Sequence, residues 1–292
     1  MNNKVVVPDE KQISRRITRN KLAQGIFLMA TLFGMIVLAT LLIRIFSQGI
    51  GYLNIDFLTN YASRRPEDAG VKAALLGTIW VMSITIPVSL ILGVGTSIYL
   101  EEYAPKNKFT RFIELNIANL AGVPSVVFGL LGLTVFVRLL GMGRSILAGG
   151  LTMSLLILPV IVVASKEAIR SIPQEQYEAA YAMGATKWQI IRTVVLPAAT
   201  PGILTGAILA LSRGVGETAS LLMIGAMTFI AYTPTSVLDS FTILPIQIFS
   251  WAGRPQASFQ AVAAAGSIVL LIILIVMNSL AIVIRNKYSK RY

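Results

Sequence analysis

The sequence predicts an all-α, polytopic membrane protein with six transmembrane helices, and three observations predict it. Hydrophobic residues make up 55% of the chain and charged residues 13%, too little polar surface to keep a soluble domain of 292 residues in water. Six apolar windows reach the roughly 20 residues that a helix rising about 1.5 Å per residue needs to cross a hydrocarbon core of about 30 Å. Lys and Arg gather on alternate connections between those windows.

The windows run approximately over 24–45, 73–100, 112–140, 145–165, 201–228 and 261–284. The third contains Gly122-Val123-Pro124, where a kink is expected. Six spans put both ends on one side. That side carries six Lys and Arg before the first span, three in 101–111, four in 166–192 and four after Ile284, against seven on the other side. The positive-inside rule then places both termini in the cytoplasm. The chain divides into a cytoplasmic tail over 1–23, a first transmembrane helix over 24–46, a transmembrane core over 72–285 with a cytoplasmic loop over 166–200, and a second tail over 286–292. Ser14-Arg15-Arg16 resembles part of a twin-arginine export signal. The apolar run that follows is too long for one and no small-x-small site precedes Arg44, so the first helix is expected to be retained.

Histidine and cysteine are both absent, which removes the usual proton shuttle, thiolate nucleophile, disulfide and soft metal ligands. No catalytic or metal centre and no bound cofactor are expected. The formal charge of +12 sits in short segments between apolar runs, without interleaved stacking aromatics. That pattern suits anionic membrane lipid and topology rather than nucleic acid.

The loop between the fourth and fifth windows carries the signals of two short helices. Ser171-Ile172-Pro173-Gln174 reads as a capping box, with proline early in the first turn. Gly184 suits the left-handed residue that ends a helix. Thr186-Lys187-Trp188-Gln189 reads as a second capping box, opening a helix that stops before Pro197, after which Thr200-Pro201 starts the next span as cap and first helical residue. Such a helical pair is either a knob that docks on a partner or an amphipathic hairpin lying on the headgroups.

Arg213 and Glu217 fall near the middle of the fifth window, where an isolated ionised side chain costs about 2.5 to 3.5 kcal/mol. At i, i+4 they are placed for a mutual salt bridge. Gly206, Ala210, Arg213, Glu217 and Ser220 share one helix stripe, which is expected to face protein or water. One reading makes the pair a packing device; the other makes it part of a solute path. In the second, the Arg213 guanidinium offers a planar fork of donors to an oxyanion, and Glu217 orients that fork or accepts a proton-bearing oxygen. Ser125, after the kink in the third window, either only follows the bend or bonds the solute at midplane depth. The segment 230–260 is long and rich in proline and aromatics, with Trp251 suited to an interfacial position. It either meets an external protein or seals the bundle.

Glu178-Ala179-Ala180, then Gly184, then Leu196-Pro197, resemble in type and spacing the EAA loop of ABC-importer permeases. Further stretches, Tyr99-Leu100-Glu101-Glu102-Tyr103, Gly122 to Leu130, Arg213-Gly214-Val215-Gly216-Glu217-Thr218-Ala219 and Leu244 to Phe249, are similar to the A-type permeases of phosphate-specific (Pst) importers. Gly214-Val215 departs mildly from the commonest form. The resemblance implies a type I ABC importer (MetI-like) fold. It also implies a second, C-type permease as partner, two ATPase subunits that use ATP and Mg, and an external phosphate-binding protein. Glu178, Ala179, Ala180 and Gly184 would couple to the ATPase, and Arg213 and Glu217 would serve the transport path. This chain has no G-x-x-x-x-G-K-[ST] loop, so ATP would be hydrolysed by the partner. A permease for sulfate, molybdate or phosphonate is the near alternative. A channel or secondary transporter working without ATP is the distant one.

Overall fold

The computed structural model describes residues 10–227 and 229–288. Residues 1–9 and 289–292 of the two expected tails, and Thr228 at the end of the fifth window, lie outside them. Among the described residues the named elements are all helical, with one isolated antiparallel bridge between Ser145 and Ser240.

Helix α1 (Glu10–Gly49) has 40 residues. At that length it runs about 60 Å, so the described part of the first tail continues the helix rather than preceding it. After the short α2 (Ile55–Thr59), α3 (Lys72–Ile98) continues through a π-helical turn, Tyr99–Tyr103. The third window is not one kinked rod. It is α4 (Lys108–Leu120) and α5 (Ser125–Gly132), the latter extended by a π-helical stretch to Leu139, and the two meet at 105°. Pro124 explains the break: it has no N–H to give, and it drives Val123 away from the helical region. Thirteen residues rise only about 20 Å, so α4 alone falls short of crossing.

The centre of the molecule is α6 (Ile146–Arg170), the most buried of the long apolar helices. It packs along α3, where Thr85 Oγ1 donates to the Gly150 carbonyl at 3.1 Å and Ser97 Oγ to the Val162 carbonyl at 2.9 Å. Buried hydroxyls satisfied across a helix pair hold two apolar rods in one register. Next come α7 (Gln174–Ala182), α8 (Lys187–Ile190), α9 (Leu196–Val215), α10 (Ala219–Ile224), α11 (Leu244–Ala252) and α12 (Ala257–Tyr288). Among the described residues five helical runs are long and apolar enough to cross a membrane, and the bent pair makes a sixth if it counts as one span.

Trp251 corrects an expectation. It is fully buried rather than interfacial, its ring centroid 6.1 Å from that of Phe57, in a cluster with Leu244, Phe259 and Val262. With Pro245, Ile246 and Gln247 also buried, α11 seals the end of the bundle at which α3 begins.

Candidate functional site: a helical loop and a broken span

The helical loop predicted between 166 and 200 is present with several local corrections, whereas the fifth window is broken rather than one span. Ser171 does not cap α7. It closes α6 in helical conformation and its Oγ donates back to the Ala168 carbonyl at 2.8 Å, while α7 starts after an extended Pro173 without a side-chain cap. The second capping box does form: Gln189 Oε1 accepts from the Thr186 N–H at 2.8 Å, and Thr186 Oγ1 accepts from the Gln189 N–H. Gly184 adopts φ of 79°, and the Ala185 N–H donates to the Ala180 carbonyl at 3.2 Å to close the end of α7. Glu178 and Ala179 are exposed, whereas Ala180 packs with Ile169, Ile190 and Val195.

The helical run that the second box opens does not end before Pro197, and Thr200 sits inside it rather than capping it. The run Lys187–Val215 is continuous because Ile191–Val195 widens into a π turn, in which the Leu196 N–H reaches the Ile191 carbonyl. The wider turn relieves the clash a proline ring makes with the turn before it. Thr200 Oγ1 instead donates to the Leu196 carbonyl at 2.6 Å, inside the helix.

A side chain at Gly184 would have to enter the left-handed region, which costs an L-residue about 1 to 2 kcal/mol. Gly184→Ala is therefore expected to speed amide hydrogen exchange across α7 about tenfold, with the spans unaffected. Unchanged exchange would mean that the loop does not depend on this turn.

The fifth window breaks where its charges lie. Helix α9 stops at Val215, and α10 begins at Ala219. Two glycines within three residues, Gly214 and Gly216, each weaken a helix by about 1 kcal/mol. The Glu217 carboxylate also finds other partners: its Oε1 accepts from the backbone N–H of Ala219 at 3.1 Å and of Ser220 at 3.4 Å. Among the described residues Arg213 and Glu217 form no ion pair, since the i, i+4 geometry is lost at the break.

The expected single stripe is divided as well. Gly206 and Ala210 are buried, the former against Ala164 of α6, and Ser220 is buried beside Met153. Arg213 is exposed on the edge of α9, and Glu217 is half-buried. Ser125, half-buried, opens α5 and makes no hydrogen bond with Arg213 or Glu217. Helices α5 and α10, which both start at a break, pack directly on each other. A β-carbon added at Gly129 would lie 2.5 Å from the Ser220 carbonyl oxygen, so only glycine allows that approach.

The family described as "Binding-protein-dependent transport system inner membrane component" matches residues 86–290. The chain belongs to this family. It is 35% identical to a probable ABC transporter permease protein, YqgI, of Bacillus subtilis, over 91% of this chain and 94% of the relative. It is 32% identical to the phosphate transport system permease protein PstA 1 of Mycobacterium tuberculosis, over 95% and 92%. Among solved structures, a bacterial alginate ABC transporter in complex with an alginate-bound periplasmic protein is similar at a TM-score of 0.66 and 17% identity, covering 91% of this chain and 94% of that one. An inward-facing MetNI methionine ABC transporter is similar at 0.61 and 20%, covering 75% and 96%. The expected all-α ABC-permease fold is thus the observed one, in a multi-pass inner-membrane transport component.

In this permease the loop is braced by residues that sequence reasoning quoted for similarity and assigned no task. Tyr177 Oη donates to Glu102 Oε1 at 2.9 Å. Lys187 Nζ donates to the Glu102 carbonyl and lies 5.0 Å from the centre of the Tyr103 ring. Burial, with the Glu102 carboxylate beside it, pushes the Tyr177 phenol well above the usual tyrosine range. Both helices of the loop pair are therefore pinned to the π turn that ends α3. Beside that turn, Lys166 meets Glu114 at 2.7 Å and Arg170 meets Glu101 at 2.8 Å, joining α3, α4 and α6. The paired acids Glu101-Glu102 following an apolar span were the available signal, since acids at a span end need cationic partners.

Proposed function

We propose that this chain is one of two permease subunits of an ATP-driven importer and forms, with a second homologous C-type permease, the path for inorganic phosphate by alternating access. The observation that carries this reading is the nearly full-length similarity to a permease named for phosphate transport, in a chain that breaks its fifth span beside Arg213. A discontinuous helix leaves backbone groups and a cation free to meet a solute at depth in the membrane.

On this reading Arg213 presents its fork to the anion from the exposed edge of α9, toward the second permease. Glu217, held by two backbone N–H groups, accepts the proton-bearing oxygen of a partly protonated phosphate and repels the fully ionised form. Ser125 stands at the head of α5 on the same path. Exposed Glu178 and Ala179 meet one of two ATPase subunits, which bind the ATP and Mg; Ala180 and Gly184 shape the helix that docks. Both termini lie in the cytoplasm, and an external phosphate-binding protein delivers the solute to the other face.

Uptake of radiolabelled phosphate into proteoliposomes tests the solute, using this chain with its permease partner, ATPases and binding protein. ATP-dependent uptake that ignores added sulfate and molybdate is expected. Transport of a competitor without phosphate would keep the architecture and overturn the specificity.

A further inference from the structure

The end of the molecule that holds the loop also holds a cavity of about 760 Å³, formed where the π turn of α3, the start of α4 and the end of α6 meet. Lys106, Lys108, Arg111 and Arg170 line it together with Glu101 and Glu114. The two acids are already engaged by Arg170 and Lys166. Lys106, Lys108 and Arg111 form no ion pair among the described residues, so the cavity wall carries three uncompensated cations.

The same helix exposes apolar side chains between and beyond those cations: Phe109, Phe112 and Leu115. A helix with one basic edge and one exposed apolar edge settles at a bilayer surface, its apolar side against the acyl chains and its cations at headgroup level. A soluble anion would satisfy the cations and leave the phenylalanines uncovered. One phospholipid satisfies both. We infer that this cavity is a binding site for the phosphate group of an anionic phospholipid, with the acyl chains lying along α4. Basic pockets between membrane helices bind such headgroups through the same chemistry.

The inference rests on the chain being a membrane permease of the proposed orientation, which puts the lipid in the cytoplasmic leaflet, and not on its solute. A complex that imports a different oxyanion would still retain the lipid.

Native mass spectrometry of the assembled complex, offered equal amounts of phosphatidylglycerol and phosphatidylcholine, tests it. The unaltered complex is expected to retain the anionic lipid with about tenfold preference. The triple variant Lys106→Gln, Lys108→Gln, Arg111→Gln should lose that preference, and the same spectra report whether the variant still assembles. Removing the same charge from α1, by Arg15→Gln, Arg16→Gln and Arg19→Gln, should leave it. Equal retention of both lipids by the unaltered complex, or equal loss of preference in the two triple variants, overturns the site. Displacement of the lipid by millimolar inorganic phosphate would reassign the cavity to the free anion and overturn the lipid source.

Discussion

Replacing Arg213 by glutamine is expected to bring ATP-dependent phosphate uptake to background while the permease pair still assembles with its ATPases. The size of the effect follows from what the guanidinium would do. Removing one partner of a desolvated, hydrogen-bonded charge pair costs about 2 to 5 kcal/mol, so a loss of roughly 400-fold is the middle of the range. Assembly should survive because Arg213 is exposed, forms no ion pair among the described residues and supports no buried cluster in this chain. Normal uptake by an assembled Arg213→Gln complex would remove Arg213 from the path and leave the broken span as a packing feature.

The second large effect belongs to the opposite end of the coupling. Glu178 projects from α7 into solvent, so Glu178→Lys should leave the fold unchanged and act on the partner alone. Reversing a charge at a docking surface loses an attraction and adds a repulsion, together worth about tenfold or more in affinity. Co-purification of the ATPase should fall and uptake with it, without loss of the permease from the membrane. A variant that retains its ATPase in full would count against the docking role of this helix.

How much of this was legible in the sequence depends on whether a signal was local. The long spans were, because hydropathy over about 20 residues has one physical meaning in a chain this apolar. The Thr186–Gln189 box and the left-handed Gly184 were also legible, since each is decided by a few neighbouring residues. Ser171-Ile172-Pro173-Gln174 had the same Ser/Thr-x-x-Gln pattern and failed, because the helix before it continued through Ser171. Pro197 and Thr200 misled in the opposite sense: proline reads as a stop, but a π turn ahead of it let the helix pass.

Around the candidate site residues, the local geometry was the part least legible in the sequence. Reading 201–228 as one helix put Arg213 and Glu217 on a single stripe. The flexibility of Gly214 and Gly216 and the claim of two N–H groups on Glu217 ended that helix between them. The brace from Glu102 to Tyr177 and Lys187 spans 75 and 85 residues, a distance over which spacing along the chain carries no information. Trp251 was assigned by residue type to an interface, whereas tertiary packing against Phe57 placed it in the core.

The central claim is that the break in the fifth span lines a path whose exposure alternates with the state of the ATPases. The chain has no cysteine, so a single introduced thiol is the only one labelled on this subunit, read on the separated chain. Gly216 suits this, being exposed within the break and having its nearest obstacle to a β-carbon, the Arg213 carbonyl oxygen, at 3.8 Å. The measurement is labelling of Gly216→Cys by a membrane-impermeant thiol reagent added from either side, in nucleotide-free and in vanadate-trapped complexes. The account predicts labelling from the cytoplasmic side without nucleotide and from the opposite side when trapped. Labelling from one side in both states, or from neither, would contradict it.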